Sequence, residues 1–156
     1  MKKINFKILA VCILIPLILG TVSGILTSSA MDRFEEIAKP PLSPPGFLFP
    51  IVWTLLYILM GISSYLVFVS TSEYRKEALT LYGIQLVFNF IWPVIFFNFE
   101  KYLFAFIWLI ALLVLVILMT LKFYKIDKKS AYLQIPYILW LIFAGYLNLG
   151  VYLLNR

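Results

Sequence analysis

The chain has no histidine, one cysteine and little charge. With Cys12 alone, no disulfide forms within the chain. Without histidine, an ordinary zinc site or a two-histidine haem site is excluded as well. Charged residues make up 13% of the chain, against about 25% in a typical soluble domain. They are also clustered. No Asp, Glu, Lys or Arg occurs in 8–31, 40–72, 78–99, 102–121 or 130–155, runs of 24, 33, 22, 20 and 26 residues. Ion-coupled pumps and transporters mark their paths with intramembrane carboxylates, so this pattern argues against that class. There is also no glycine-rich phosphate loop, no Ser/His/Asp set and no paired carboxylate to support conventional acid–base or nucleophilic catalysis.

What remains is strongly apolar: 63% hydrophobic, with mean hydropathy +1.01. A helix crosses a bilayer with roughly 20 apolar residues, and all five uncharged runs reach that length. A soluble core would need amphipathic helices around it, and none is present. The sequence therefore predicts an all-α integral membrane protein, a single five-transmembrane-helix bundle in one domain spanning 1–156. The helices are expected over about 6–27, 47–69, 79–97, 102–121 and 131–154, with a first loop over about 28–46. The basic, apolar N-terminus also has the outline of a signal peptide, but its uncharged run of 24 residues exceeds the usual core of about 7–15. It is read as a retained helix.

Loop charge sets the expected orientation. The N-terminus and the second and fourth loops carry Lys2, Lys3, Lys7, Arg75, Lys76, Lys122, Lys125, Lys128 and Lys129; the other side carries Arg33, Lys39, Lys101 and Arg156. By the positive-inside rule the N-terminus is cytoplasmic, and the first loop and C-terminus are outside. The net charge of +6 is then accounted for by topology and anionic headgroups, with membrane lipid as the partner and no nucleic acid.

Polar and aromatic side chains inside the helices form three stripes. In the third helix, Tyr82, Gln85, Asn89, Trp92, Pro93 and Phe96 share one face. In the fifth, Tyr137, Trp140, Ala144 and Asn148 do so; in the second, Trp53, Tyr57, Gly61 and Ser64. Amides in hydrocarbon need partners, and plain interhelical packing explains any one of these residues. An interfacial belt explains Trp53, Trp92 and Trp140 poorly, because they lie several residues inside their helices. Three uncharged stripes of indole, phenol and amide groups suit a flat, largely apolar ligand with a few polar handles.

The stretches "PPLSPPGFLFPIVWTLLYILMG", "YGIQLVFNFIWPVIFF" and "AYLQIPYILWLIFAGYLN" closely resemble the tryptophan-rich sensory protein and mitochondrial translocator protein (peripheral-type benzodiazepine receptor) family, over nearly the whole chain. Trp53 and Tyr57 match its "VWxxLY" motif, and Gln85, Asn89, Trp92 and Pro93 its "QLxxNxxWP" motif. Pro136, Tyr137, Trp140, Phe143, Ala144, Leu147 and Asn148 match its fifth-helix motif. The resemblance implies a bacterial member in the cell membrane, commonly a homodimer. It also implies a receptor for porphyrins, isoquinoline carboxamides and benzodiazepines, with the pocket between helices under the first loop. The expected ligand-binding residues are Phe49, Trp53 and Tyr57; Gln85, Asn89, Trp92 and Phe96; and Trp140, Ala144, Leu147 and Asn148. No cofactor is required; porphyrin enters as ligand or substrate. Two alternatives stay open: light-dependent porphyrin degradation with Trp53, Trp92 and Trp140 as the catalytic rings, and uncoupled tetrapyrrole transport. The chain departs from the family at Leu42 and Phe47, where many members have tryptophan. It departs again at Leu149, where the animal cholesterol motif has tyrosine; the generic L-x-x-Y-x-x-x-R pattern at Leu149, Tyr152 and Arg156 is read as chance.

Local features complete the reading. Pro40, Pro41, Pro44 and Pro45 stiffen the first loop ahead of an abrupt helix start, either as a lid or simply as a rigid connection. Gly20 and Gly24 form a GxxxG pattern that permits close helix approach, within the chain or to a second subunit. Pro16, Pro93 and Pro136 are expected to kink or loosen their helices.

Overall fold

A computed structural model describes residues 4–156. Helix α1 spans Phe6–Thr27, and the Asn5 side chain caps it by accepting the Ile8 N–H at 3.2 Å. The chain stays helical through a 3-10 turn, Ser28–Ala30, into α2, Met31–Glu36. Then come α3, Leu48–Phe68; α4, Arg75–Pro93; α5, Tyr102–Ile126; α6, Lys128–Tyr132; and α7, Ile135–Leu154. Among the described residues, five stretches are long and apolar enough to cross a membrane: Phe6–Glu36, Leu48–Phe68, Arg75–Asn98, Tyr102–Ile126 and Lys128–Leu154. The all-α membrane fold expected from the uncharged runs is the fold observed.

Charge ends the apolar runs without ending the helices. The first turn of α4 is built from Arg75, Lys76 and Glu77. Helix α5 continues past Lys122 and Lys125 to Ile126. Lys122 and Glu77 pair across these two helix ends at 2.7 Å. Long basic side chains at a helix end reach the interface while their stems stay on apolar surface. The turn into α6 is fixed by Asp127, whose carboxylate accepts the Ser130 N–H at 2.9 Å.

Helix α1 packs mainly on α3 and also on α4; α4 packs on α5, and α5 on α7. Helix α5 buries Leu109, Leu112, Val116, Met119 and Phe123 along one seam. Its Ile107, Ile110, Val114, Leu118 and Leu121 face outward, as lipid contact requires.

The α1–α3 contact rests on missing side-chain atoms. Pro16 has no N–H to pair with the Cys12 carbonyl one turn back. At that level Gly61 of α3 lies against the Cys12 carbonyl oxygen and the Ile13 backbone, so close that a β-carbon has no room. Gly20 lies in the same way against the Tyr57 ring, whereas Gly24 faces open space. The GxxxG pattern thus serves a contact within the chain at its first glycine. Pro93 marks the end of α4, after which the chain widens into a π-helical turn, Val94–Asn98. Pro136 sits in the first turn of α7, where a missing N–H costs nothing; it therefore starts that helix and does not kink it.

These contacts give the first prediction. Gly61→Val forces α1 off α3 and should cost about 1–3 kcal/mol. Gly24→Val should leave stability near wild type, because nothing lies within 4 Å of the added carbon. Denaturation of both variants in mixed micelles checks the difference; equal losses would show that close approach at Gly61 does not hold the pair.

Candidate functional site

The residues singled out from the sequence fall into three connected groups. The first bridges α3 and α7. Trp53 stacks on Tyr57 with ring centres 5.5 Å apart and meets Trp140 edge-on at 6.5 Å. Phe49 meets Trp140 at 6.0 Å, and Trp140 meets Phe143 at 5.6 Å. Trp53 also lies 6.2 Å from Tyr137. The two backbones do not pack closely; these rings span the seam between them. The Trp140 indole N–H is buried and has no hydrogen-bond partner. Ala144 is buried one turn further along the same face, and Leu147 is half-buried.

The second group is polar and lies inside the bundle. The Tyr57 hydroxyl donates to Asn89 Oδ1 at 2.8 Å. Asn89 Nδ2 donates to the Tyr137 hydroxyl at 2.9 Å, which in turn donates to Gln85 Oε1 at 2.9 Å. Helices α3, α4 and α7 are thereby joined through uncharged groups. Gln85 is 0% exposed and Tyr137 1% exposed, so these bonds have no competition from water. Gln85 Nε2 is left unpaired.

The third group lies where α4 gives way to the π turn. Trp92 stacks on Phe96 at 5.2 Å and donates its N–H to Asn148 Oδ1 at 3.1 Å. Asn148 Nδ2 donates to the Tyr102 carbonyl at 2.8 Å. Asn148 thus ties α7 to both α4 and the start of α5, and its side-chain amide is engaged on both sides.

The proline-rich segment is fastened to α7. The Ala38 N–H and carbonyl both bond the Asn155 side chain, at 3.1 and 2.8 Å. Pro40 packs against Gly150, and the Tyr146 hydroxyl donates to the Pro41 carbonyl at 2.7 Å. Leu42 follows at φ 67°, so Pro41–Leu42 has the form of a type II turn with an unusual leucine at the left-handed position. A cavity of about 430 Å³ opens beside this segment, lined by residues of α2, the π turn and the start of α5. Of the residues singled out from the sequence, Phe96 alone reaches it.

Tyr137, which is not among the expected ligand-binding residues, is the hub of the polar group. Its signal was present: it lies on the Trp140–Ala144–Asn148 face, one turn before Trp140. Trp108, the fourth tryptophan, lies outside all three stripes. It stacks on Phe88 at 4.3 Å and donates to the Phe88 carbonyl at 2.9 Å.

The polar group yields the second prediction. Asn89→Leu strands the hydroxyl of Tyr57 and removes a donor from Tyr137. Leaving such a group buried and unpaired costs about 1–3 kcal/mol. Tyr57→Phe, which removes one bond only, should cost less. Unfolding midpoints of the two variants test the order; indifference to Asn89→Leu would show that the network does not hold the helices.

A model of the TspO/MBR family matches residues 12–154. The tryptophan-rich protein TspO of Chlorobaculum tepidum is 33% identical over 152 residues, covering 94% of this chain and 95% of that protein. Its namesake from Archaeoglobus fulgidus is 33% identical over 152 residues, covering 97% and 99%. The translocator protein of Bos taurus is 32% identical over 118 residues, covering 74% and 70%. Five apolar helices, the motif residues gathered on α3, α4 and α7, and similarity along nearly the whole length lead to one assignment: the chain is an integral membrane protein of the TspO/MBR family.

Proposed function

We propose that the protein is a membrane receptor for porphyrins of the protoporphyrin type, and for isoquinoline carboxamide and benzodiazepine ligands, bound between α3 and α7 under the first loop. The observation that carries this reading is the seam at Trp53 and Trp140. There, rings rather than close backbone packing join two helices, and a buried indole N–H has no acceptor. A flat ligand exchanges ring–ring contacts for ring–ligand contacts of similar strength, so the rings part at little cost. A carbonyl on that ligand also gives the Trp140 N–H its missing partner. The polar set around Asn89 lies directly beneath, because Tyr57 belongs to both groups. Kinship with the TspO and translocator proteins supports the same reading. A bacterial cell membrane, with the first loop outside and a homodimeric state, completes the proposal.

Trp140→Phe keeps the flat face and removes the N–H. Affinity for an isoquinoline carboxamide should fall by about 1–2 kcal/mol, the worth of a buried hydrogen bond, with folding intact. Unchanged affinity in titration of the purified variant would remove Trp140 from the site.

The edge-on pair Trp53–Trp140 at 6.5 Å also favours a second reading, in which bound porphyrin is oxidised in light by way of these indoles. Phenylalanine retains stacking but is far harder to oxidise. The double variant Trp53→Phe, Trp140→Phe should therefore still bind porphyrin. Receptor and enzyme differ in illuminated absorbance decay against a dark control. We expect slow, incidental loss in the wild type; many turnovers in the wild type and none in the variant would make the protein an enzyme.

A further inference from the structure

The cavity of about 430 Å³ beside the first loop belongs to none of the three helix-face groups except through Phe96, and its chemistry differs from theirs. The central groups carry no charge. This cavity is lined by three charged side chains, Arg33, Glu36 and Glu100, together with the rings of Phe34, Phe96, Phe97 and Tyr102. Its volume falls within the range of about 300–1,000 Å³ typical of small-molecule sites.

The charge balance decides what fits. Arg33 is answered by Glu100 at 2.9 Å. Glu36 is in no ion pair among the described residues. The lining therefore carries one uncompensated negative charge. Lys39 is not part of the lining, although its ammonium, which donates to the Glu35 carbonyl at 2.9 Å, sits 4.9 Å over the ring of Phe34, which is. That contact shows a wall ring of this cavity already receiving a cation on a face.

The walls are built from edge-to-face contacts. Phe34 meets Phe96 at 5.7 Å and Phe97 at 5.1 Å, and Phe96 meets Phe97 at 4.8 Å. Phe96 also lies 5.1 Å from Tyr102. A group of aromatic rings with an unanswered carboxylate at its rim is the arrangement that recognises ammonium ions carrying apolar substituents. Glu100 sits at φ 52°, a left-handed turn position.

We infer that this cavity is a second binding site, independent of the seam at Trp140, for a quaternary ammonium group with apolar substituents. Glu36 supplies the counter-charge, and Phe34, Phe96, Phe97 and Tyr102 form the walls. Both a free organic cation and the choline headgroup of a lipid present that chemistry.

Titration of the full chain in a non-ionic maltoside detergent with benzyltrimethylammonium tests the inference. Saturable binding is expected, with the neutral tertiary alcohol of the same shape and the anionic phenylacetate binding far more weakly. Glu36→Gln should weaken the cation about fourfold, the effect of losing one nearby counter-charge in high-dielectric surroundings, and should leave the alcohol unchanged. Glu36 is exposed and unpaired, so this variant folds even if Glu100→Gln, which breaks the pair with Arg33, does not. Phe34→Leu should weaken the cation and leave charge unaltered. Trp140→Phe should leave the titration unchanged, which separates this site from the proposed receptor site. Nanodiscs of phosphatidylcholine and phosphatidylglycerol distinguish the sources. Competition in the first only identifies a lipid headgroup, and equal binding in both identifies a free cation. No saturable binding in the millimolar range, equal affinity for the alcohol, preference for phenylacetate, or full affinity in folded Glu36→Gln would each overturn the inference.

Discussion

A polar group surrounded by hydrocarbon must find its partner within the protein, and the bundle is arranged around that requirement. Tyr57, Asn89, Tyr137 and Gln85 satisfy one another almost completely, and in doing so they fix α3, α4 and α7 at one level. Ionised groups there carry a desolvation penalty of several kcal/mol each; amides and phenols give directional bonds without it. The same economy recurs elsewhere. Asn148 connects α7 to α4 and α5. Ser63 donates to the Ser130 carbonyl at 2.7 Å and accepts from Gln134 at 2.9 Å, joining α3 to α6 and α7.

With the polar bonds fixing the level, the glycines fix the spacing. Gly61 brings α3 onto the backbone of α1 where Pro16 has loosened the helix, and Gly20 gives the Tyr57 ring its place. Tyr57 can then reach both Asn89 and Trp53. Close packing of α1 on α3, set against the wide seam between α3 and α7, makes the bundle lopsided. The wide side is where aromatic side chains must span the distance, so that it presents ring faces rather than backbone. The fastening of the first loop to Asn155, Gly150 and Tyr146 closes the end of that side with α7 itself.

Much of this was legible in the sequence, because the membrane imposes simple rules. Five uncharged runs give five spanning stretches, and helical spacing places Trp53 with Tyr57, Gln85 with Asn89, and Trp140 with Ala144 on common faces. What periodicity cannot supply is direction across the bundle. Trp92 and Phe96 lie on the same stripe as Gln85 and Asn89, yet the stripe divides. Its first half joins the central network, and its second half turns toward Asn148 and the π turn. Pro93 and the widened turn after it shift Phe96, whereas Trp92, still within α4, is drawn off by its own hydrogen bond to Asn148. The length of the first helix was hidden differently: Asp32, Arg33, Glu35 and Glu36 end the apolar run, but nothing in Met31–Glu36 breaks a helix.

The charged end of the molecule was the least legible part. Loop charges read as a topology signal fall into a count by side and lose their individual roles. In the folded chain, Arg33, Glu36 and Glu100, separated by up to 67 positions, stand around one aromatic cavity. Their convergence depends on α2 continuing the first helix and on the left-handed turn at Glu100. Neither follows from hydropathy. The same chain thus holds two chemically opposite environments. One is a charge-free seam of flat rings and single hydrogen bonds. The other is a rim where a net negative charge sits against rings. Phe96 stacks on Trp92, whose N–H bonds Asn148 of α7, and also lines the cavity, so it ties the third side-chain group, not the Trp53–Trp140 seam, to the charged rim.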